Sequence, residues 1–461
     1  MSYEQSIRPF INALERDGEL LRIGKAVDTR FELSAFLSAA DAGPALLFES
    51  VMGSSLRVAG NLLTSRSRIA AALGIATDEI LPLIRRSIHE PIAPVRVLSG
   101  AVQDITVEGA PLAALPVPTF FEHEARPYIT AGVILARDPD TQRGNLSFAR
   151  LAILDERRAM VGIAPNHHLA LFARRAAAAG RTLEVVVAIG THPAIQLAAC
   201  LYLGVGDDEL ECAGRLLGAP VRLVPARTVD LLAPADAELV LEGEIDAKTP
   251  IEEGLVSEYH GMYEDYGPGV LVTFRAQTRR RDAIFQVIEP GYHREHIYLG
   301  ALPIAAVIAE VVSAVTPNVR DVAVTEAGAG RTDVVVQLSK PQPGQAHSAI
   351  RAVFSAMSIV KRVTVIDDDI DPWDAVAVEW ARANRMKVER DLVLVPSATA
   401  VRSEPMEEHG RVTKIGFDAT ERQSDRPEGC ARALPPPATV NAVRRWLVDH
   451  LPADRRPWLR S

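Results

Sequence analysis

Apolar residues recur at helical spacing near the start of the chain and then give way to short strand-like runs. An amphipathic helix is predicted over residues 3–17 from four apolar positions on one face, Ile7, Phe10, Ile11 and Leu14. Gly18 is expected to end it. The runs ELLRIG and PALLFES predict strands, and residues 66–87 predict a further helix. This alternation predicts a small α/β unit over residues 1–105.

From residue 106 the pattern becomes rich in strands that are joined mainly by turns. The candidate strands are YITAGVILARD, NLSFARLAIL, RAMVGIA, LEVVVAIG, ELVLEGEI, GVLVTFRAQTRR and AIFQVIEP. Helices are predicted from His168 to Ala179 and from about Ala194. Residues 106–300 therefore predict a mostly β barrel or sandwich with helical insertions.

The alternation of helices and strands returns at residue 301. The predicted helices are PIAAVIAEVVSAV, HSAIRAVFSAM and DAVAVEWARAN, and the predicted strands are VRDVAVTE, TDVVVQLS and VKRVTVIDDD. Residues 395–440 are polar and proline-rich without periodicity, which predicts irregular structure, and NAVRRWLVDHL predicts a short amphipathic helix. The fold class is mixed, α+β, with α/β regions at 1–105 and 301–461 on either side of the β-rich middle, the last one carrying an extended tail.

Composition places the chain among globular proteins of the reducing cytoplasm. The 461 residues are 48% hydrophobic, and the formal net charge of −9 without a long Lys/Arg run argues against a nucleic-acid partner. Cys200, Cys212 and Cys430 lack metal-site spacing and are too few for a disulfide framework. No apolar run approaching about 18 residues is evident, so no membrane span is expected. The charged, helix-periodic N-terminus is not a signal peptide.

Acidic residues are concentrated in the stretch 248–266, KTPIEEGLVSEYHGMYEDY. Glu253 and Glu258 are five residues apart, which does not place them on one helix face. Pro250 and Gly254 indicate a loop, and a loop on a rigid scaffold can direct both carboxyl groups into one cleft. One of two such neighbouring carboxyls is expected to hold a proton, as a general acid does. The alternative is a solvated acidic loop.

Arg150 lies in the predicted strand NLSFARLAIL, on the same face as the apolar residues Leu146, Phe148, Ala152 and Leu154. An arginine on that face needs an anion. Its partner is expected to be a carboxylate of the acidic loop, a substrate carboxylate or a phosphate. A structural ion pair, or a bulge that turns Arg150 outward, is the alternative.

A second set of dispersed residues suits a divalent cation. Asn145, Glu209 and either His167 or His168 offer oxygen and nitrogen ligands that fit Mn²⁺ or Mg²⁺ better than zinc. Asp207 or Asp208 is expected to cap a helix that begins near Glu209. The alternative for the two histidines is a polar helix start.

Lys414, in RVTKIGFDAT, is a candidate for contact with a phosphate or else a solvated surface residue. The acidic run IDDDID at 366–371 is interpreted as a strand end, with Asp371 or Asp374 capping the next helix. No Walker loop or GxSxG is present, and EAGAGRTD at 326–333 lies between strands and is interpreted as a turn. Nucleotide hydrolysis and a serine nucleophile therefore have little support.

Four segments, in order along the chain, resemble the motifs of one enzyme family. They are LPVPTFFEHEARPYITAGVILARDPDTQRGNLSFAR, PNHH, DDELECAGRLLGAPVRLV, and EGLVSE followed by YHGMY. Through them the chain resembles the UbiD family of reversible decarboxylases, which use prenylated FMN, over roughly residues 5–420. The resemblance implies a central split β-barrel, like that of flavin reductases, between N- and C-terminal α/β regions. It also implies a flavin prenyltransferase as supplier of the cofactor, and a homodimer or homohexamer.

The resemblance assigns roles to the candidate residues. Asn145, His167 and Glu209 would bind Mn²⁺ or Mg²⁺ next to the cofactor phosphate, with K⁺ or Na⁺ beside it. Arg150, Glu253 and Glu258 would form a Glu–Arg–Glu network in which Glu258 supplies a proton. The residues expected to bind the cofactor are Asn145, Ser147, Phe148, Ala149, Arg150, Asn166, His167, Glu209 and Lys414. His296 is expected to face the substrate, together with Ile297 or Leu299.

Two features depart from the family pattern. Glu124-Ala125-Arg126 stands where the family often has Asp-Gly-Gly, and the adjacent His167 and His168 leave the metal ligand open between them. The resulting expectation is a decarboxylase that acts on an aromatic, heteroaromatic or α,β-unsaturated carboxylic acid and releases CO2. The alternatives are a flavin-binding reductase on the split barrel and a non-catalytic flavoprotein.

Overall fold

The N-terminal part of the chain forms a small α/β layer. The computed structural model describes residues 4–421, 433 and 435–451. The elements of this layer are α1 (Arg8–Arg16), β1 (Leu20–Val27), α2 (Glu32–Ala39), β2 (Ala45–Val51), β3 (Arg57–Gly60), α3 (Arg66–Leu73) and α4 (Ile80–His89). The single helix predicted over 66–87 is two helices, because Gly74 adopts φ +70° and ends α3.

The central part supplies most of the strands. They are β4 (Val95–Arg96), β5 (Ile105–Glu108), β6 (Tyr128–Ile129), β7 (Val133–Arg137), β8 (Gly144–Phe148), β9 (Arg150–Ile153), β10 (Arg158–Gly162), β11 (Leu183–Ile189), β12 (Arg222–Pro225), β13 (Leu232–Pro234), β14 (Leu239–Ile251), β15 (Leu255–Ser257), β16 (Tyr263–Asp265), β17 (Gly269–Arg279) and β18 (Ile284–Gln286). The helices are α5 (His168–Ala178), α6 (Pro193–Ala198) and α7 (Glu209–Leu217). β18 completes the N-terminal sheet, in the order β1-β2-β3-β18.

The central sheet is a curled, mainly antiparallel half-barrel. Its nine strands follow the order β6-β9-β10-β17-β14-β11-β7-β8, and β5 pairs with β17. β8 is the last strand at one side and β9 lies next to the last at the other, yet Ala149 alone separates them in sequence. One residue can join these strands only if the two sides of the sheet curl toward each other. The seam at residues 148–150 therefore lies where the sheet closes on itself.

The C-terminal α/β part begins with α8 (Arg294–Ser313). It continues with β19 (Val319–Val324), β20 (Asp333–Leu338), α9 (Gln345–Ala356), β21 (Arg362–Asp367), α10 (Ala375–Arg385), α11 (Val388–Asp391), β22 (Leu392–Thr399) and β23 (Arg411–Asp418). Its five strands follow the order β19-β20-β21-β23-β22. Asp374 caps α10 by accepting from the N–H groups of Val376 and Ala377, as one of the two predicted caps. Fold class and flanking layers thus agree with the mixed architecture predicted.

Two expectations about this part were wrong. Residues 392–399 and 411–418 are paired strands, although 395–440 was predicted to be irregular. α8 is 20 residues long, with a mean hydropathy of 1.7 over 18 residues, so a stretch apolar enough to span a membrane was overlooked. Because 72% of that window is buried inside the protein, α8 is a core helix. Residues 422–432, including Cys430, lie outside the described residues. The second compact unit, from Glu421, contains α12 (Pro437–His450), close to the predicted terminal helix.

Candidate active site

Arg150 and Glu253 form a bidentate ion pair at the seam of the central sheet. Arg150 begins β9, and its Nε and Nη2 donate to Glu253 Oε1 and Oε2 at 2.5 and 2.6 Å. The Glu253 side chain is 1% exposed and that of Arg150 is 26% exposed. Burial is the largest single effect and lowers the pKa of the Arg150 guanidinium, but the hydrogen bonds to Glu253 and the negative charges of Glu253 and Glu258 together outweigh it and raise that pKa. The carboxylate partner expected from the acidic stretch is therefore Glu253.

Glu258 lies beside this pair and has partners of its own. Its Oε2 accepts a hydrogen bond from the hydroxyl of Tyr266, and its Oε1 accepts from the backbone N–H of Tyr259 at 3.0 Å. The Arg150 guanidinium lies over the Tyr266 ring, 5.2 Å from its centroid. The negative charge of Glu258 also acts on Arg150. Tyr266 thus connects the two halves of the predicted network, and sequence reasoning had given it no role.

The acidic stretch is more ordered than the loop that was predicted. Lys248–Ile251 belongs to β14, and β15 and β16 form a two-stranded hairpin that carries Glu258. Gly254 adopts φ +82° between Glu253 and β15, where a side chain would be strained. The residues that depart from the family pattern support this turn: Arg126 Nη1 donates to the Glu252 carbonyl at 2.9 Å.

Asn145, in β8, contacts Glu209 at the start of α7. Asn145 Nδ2 donates to Glu209 Oε1 at 3.1 Å, and the backbone N–H of Leu146 donates to Oε2 at 2.8 Å. Glu209 is the first residue of α7, which Asp208 caps by accepting from the Leu210 N–H. Burial raises the pKa of Glu209 to about 7. Among the described residues no basic side chain forms an ion pair with this buried carboxylate. A bound cation would supply the missing charge.

The two candidate histidines stand at the start of α5. His167 is the residue before the helix and is exposed, whereas His168 is half-buried and stacks on Phe172 with ring centroids 6.5 Å apart. In the described part of the chain, no group of three His, Cys, Asp or Glu side chains is placed to hold a metal. The predicted set contains only two such residues, because its third member is Asn145. Its use of His167 or His168 remains a prediction.

The remaining residues predicted to bind the cofactor lie near these groups in sequence. Ser147 Oγ is 3.5 Å from Asn145 Oδ1, Phe148 and Ala149 are half-buried at the seam, and Asn166 is exposed. The segment from Asn145 to Arg150 thus joins the Glu209 carboxylate to the Arg150–Glu253 pair. Five extended residues span at most about 17 Å.

Lys414 is not in the irregular segment that was predicted. It lies in β23 with its side chain 2% exposed. Nζ donates to the carbonyl oxygens of Met357 and Ser358, at 3.3 and 2.9 Å, just beyond the end of α9. The structure therefore assigns Lys414 a place in the C-terminal core, because its ammonium group already has backbone acceptors. The predicted contact of Lys414 with a phosphate stays a prediction.

His296 lies in the first turns of α8. Its Nδ1 is 3.0 Å from the carbonyl oxygen of Gly291, so Nδ1 carries the proton and donates. Burial, and after it the positive charge of Arg331, lower the pKa of His296 to about 4. Glu258 acts on the same imidazole with the opposite sign. The charges of Glu258 and Arg331 therefore both act on His296. From the sequence, the segment that contains Arg331 was interpreted only as a turn.

A cavity of about 260 Å³ opens beside the β15–β16 hairpin. Its wall includes Ser257 together with Asp41, Glu289 and His293. Burial raises the pKa of Glu289 to about 7, although the Ser34 and Ser38 hydroxyls donate to it at 2.7 and 2.6 Å. Sequence reasoning missed this cluster, because its acidic and basic members come from the turn after α2, from the segment after β18 and from the residue before α8.

Comparison with known proteins places the chain in a family. Family models of 3-octaprenyl-4-hydroxybenzoate carboxy-lyase match in three consecutive parts: the N-terminal domain at residues 11–88, the Rift-related domain at 94–293 and the C-terminal domain at 297–419. Anhydromevalonate phosphate decarboxylase of Methanosarcina mazei is 32% identical over 431 residues, which cover 93% of this chain and 99% of the relative. The corresponding enzyme of Methanothermobacter thermautotrophicus is also 32% identical, over 89% and 96%.

Two solved structures share this fold, and both were solved with a flavin cofactor. The UbiD-class enzyme HmfF from Pelotomaculum thermopropionicum, solved with FMN, is 35% identical with a TM-score of 0.92, over 97% of this chain and 100% of that chain. An evolved dimeric form of HmfF, solved with prFMN, is 34% identical with a TM-score of 0.87, over 98% and 99%. Half-barrel, flanking layers and sequence thus point to one conclusion: the chain belongs to the UbiD family and is a UbiD-type carboxy-lyase.

Proposed function

We propose that this decarboxylase uses prenylated FMN and acts on an aromatic, heteroaromatic or α,β-unsaturated carboxylic acid. The observation that carries the proposal is the buried Arg150–Glu253 pair with Glu258 beside it. Removal of CO2 leaves an electron pair that no protein side chain can accept, and the prenylated flavin, when bound, supplies that electron sink. The names of the two relatives at 32% identity indicate a phosphorylated substrate. The proposed substrate class is therefore wider than aryl acids.

In this proposal the three charged residues have distinct tasks. Glu253 keeps Arg150 in position, because the bidentate contact fixes both the direction and the plane of the guanidinium. Glu258 is half-buried and carries a proton to the carbon that has lost CO2. The Tyr266 hydroxyl and the Tyr259 N–H orient the Glu258 carboxylate and stabilise it once the proton has left.

Asn145 and Glu209 are proposed to hold a divalent cation, Mn²⁺ or Mg²⁺, with His167 or His168 as a further ligand. The support is chemical: Glu209 is buried, forms no ion pair with a basic side chain in the described structure, and lies against the side-chain amide of Asn145, whose Nδ2 donates to it. K⁺ or Na⁺ beside it and assembly into a homodimer or homohexamer are proposed from the family resemblance. The dimeric form of HmfF is consistent with the assembly.

The test of cofactor and reaction is purification after co-expression with a flavin prenyltransferase, followed by CO2 detection with a panel of aryl and acrylic acids. We expect the spectrum of a modified flavin and release of CO2 from at least one acid. An ordinary FMN spectrum together with no CO2 from any acid would overturn the proposal.

The test of the network compares substitutions at two glutamates of the same acidic stretch. Glu258→Gln is expected to abolish turnover while the bound flavin content stays at the wild-type level. Glu252→Gln, which changes an exposed carboxylate next to Glu253, is the matched control and should leave both unchanged. Turnover at the wild-type rate in Glu258→Gln would remove Glu258 from the mechanism.

The test of the metal site measures metal content directly. Wild type and variants are dialysed against buffer that contains Mn²⁺, and the bound Mn²⁺ is measured by elemental analysis. Glu209→Gln should hold less Mn²⁺ per chain than the wild type. Glu211→Gln changes a half-buried acid in the same helix, which lies 3.7 Å from Arg143, and should keep the metal. Equal metal content in the two variants would contradict the assignment.

A further inference from the structure

A glycine-rich turn in the C-terminal part sets Arg331 directly on the backbone of α8. The turn is EAGAGR, residues 326–331, between β19 and β20. A Cβ atom on Gly300 would lie 1.7 Å from Nη1 of Arg331, so the guanidinium fits only because residue 300 has no side chain. A Cβ atom on Gly330 would lie 2.5 Å from the Ile297 carbonyl oxygen. Two glycines therefore allow this approach, one from each side.

The turn itself is held rigidly. Gly330 N–H donates to Thr325 O and Arg331 N–H donates to Gly328 O, both at 2.9 Å. The Thr325 hydroxyl donates to Asp333 at 2.8 Å and ties the start of the turn to its end. These hydrogen bonds fix the main chain at Arg331. The direction of the Arg331 side chain is therefore set by the turn and not by an acidic partner.

Arg331 has no counter-charge in the described structure. The two nearest acids in sequence are taken: Glu326 accepts from Arg294 at 3.0 Å and from the Tyr298 hydroxyl, and Asp333 forms a bidentate pair with Arg362. The hydrogen bond that Arg331 makes with its side chain is to its neighbour, the Gly330 carbonyl, at 3.0 Å. A half-buried arginine in this condition lacks the anion that its desolvation calls for.

The Arg331 position is linked through α8 to the residues of the proposed active site. His296 and Gly300 are four residues apart and lie on the same face of α8. His296 donates to the Gly291 carbonyl. A Cβ atom on Gly291 would lie 3.5 Å from the backbone oxygen of Glu258, so Gly291 packs closely against Glu258. Arg331 therefore packs on α8 one turn from His296, and His296 in turn reaches the Gly291 carbonyl beside the Glu258 backbone. The charges of Arg331 and Glu258 both act on the His296 ring.

We propose that Arg331, with His296, binds a second anionic group of the substrate, separate from the carboxyl group that is lost. This inference rests on the proposed function and narrows its substrate class to acids that carry a further carboxylate or phosphate. A planar guanidinium can bind either group with two parallel hydrogen bonds. Nε2 of His296 is the nitrogen not engaged by Gly291, and it becomes a second donor once an anion favours protonation of the ring.

The test compares matched probes on the FMN-loaded protein and on the enzyme with prenylated FMN. Benzoate, terephthalate and 4-carboxyphenyl phosphate share one ring and differ in the second group. Binding is measured by calorimetry on the FMN-loaded protein, and kcat/KM by CO2 release wherever a probe is turned over. One or both two-anion probes should bind the wild type at least about tenfold more tightly than benzoate, and the stronger probe identifies the group.

Arg331→Gln should remove that preference and weaken binding of the preferred probe about tenfold to a hundredfold, while benzoate binding and flavin content stay unchanged. Arg331→Lys keeps the positive charge but loses the planar guanidinium, so its affinity for the preferred probe should lie between those of the wild type and Arg331→Gln. Arg351→Gln changes an exposed arginine of the same C-terminal part and serves as the control.

Three outcomes would overturn the inference. They are equal losses for all three probes in Arg331→Gln, no preference for a second anion in the wild type, and loss of FMN from Arg331→Gln, which would make Arg331 a cofactor ligand. The proposed function can fail separately. Arg331-dependent binding without any CO2 release would leave the anion site in place and refute the decarboxylation proposal.

Discussion

Substitutions of Arg150 and of Glu253 should lower the free energy of unfolding by different amounts. Glu253 is almost fully buried, whereas about a quarter of the Arg150 side chain reaches solvent, at 1% and 26% exposure. Arg150→Met leaves a buried carboxylate without its cation, which typically costs about 3–5 kcal/mol. Protonating a carboxyl group of ordinary acidity at pH 7 costs about 3.7 kcal/mol and limits the loss. We therefore expect a decrease of roughly 3–4 kcal/mol in the free energy of unfolding.

Glu253→Gln should cost less, about 1–2 kcal/mol, because the amide oxygen still accepts one hydrogen bond and the guanidinium can turn to water. The two variants also differ in pH dependence. Folded Arg150→Met takes up a proton that the unfolded chain does not bind at neutral pH, so its stability falls as pH rises. At pH 5 that proton costs only about 1 kcal/mol. The deficit of Arg150→Met should therefore be largest at pH 7 and shrink toward pH 5.

The assay is urea unfolding of the cofactor-free protein at pH 7 and pH 5, for both single variants and the double variant. The double variant should be more stable than the sum of the single losses predicts, because no buried charge remains unpaired. Arg158→Met is the control, since Arg158 and Asp155 form an exposed pair at 2.7 Å in the adjacent turn; its cost should be at most about 1 kcal/mol. A loss in Arg150→Met no larger than in this control, or one that pH does not change, would refute the reasoning.

Three further variants test neighbouring assignments. Tyr266→Phe removes the hydroxyl donor to Glu258 and should lower kcat about tenfold with unchanged flavin content; an unchanged kcat would show that the contact plays no part in turnover. Lys414→Met strands two backbone carbonyls and should destabilise the protein by about 1–3 kcal/mol without changing FMN affinity. Weaker FMN binding at unchanged stability would restore the phosphate assignment. Gly300→Ala should displace Arg331 and reduce the preference for a second anion as Arg331→Gln does, measured with the same probes.

Sequence reasoning succeeded where one physical rule was decisive. Desolvation of an arginine among apolar residues required an anion beside Arg150. The single strand NLSFARLAIL on which its apolar face was predicted was wrong, because β8 ends at Phe148 and β9 begins at Arg150. The structure supplies Glu253, which comes from an acidic stretch that had been identified independently. The capping of α7 by Asp208 followed in the same way, because it depends only on neighbouring residues. In these cases the sequence was sufficient because the interaction is local, or because only a few partners can satisfy it.

It failed at β23 because the inward face of that strand is not apolar. Lys414, Gly416 and Asp418 are buried there, and the half-buried Val412, Ile415 and Phe417 are apolar. A Cβ atom on Gly416 would lie 2.4 Å from the Ile350 side chain, so the strand needs glycine at that position. The hydrophobic alternation that normally reveals a strand is therefore hidden. The cavity cluster was missed for another reason, since Asp41 and Glu289 are 248 positions apart in sequence and only the fold unites them.

The charges around the site separate into two kinds, and the distinction bears on what they do. Arg150 and Glu253 compensate each other, so neither needs a ligand of opposite charge, which fits the positioning task proposed for them. Glu209 and Arg331 have no such partner among the described residues, although each is held by the chain: Glu209 by the Leu146 N–H, Arg331 by its turn. An isolated, desolvated charge is unfavourable unless a ligand of opposite sign is present for part of the working cycle. The sign of each charge is the physical basis of the ligand proposed for it, a cation at Glu209 and an anion at Arg331.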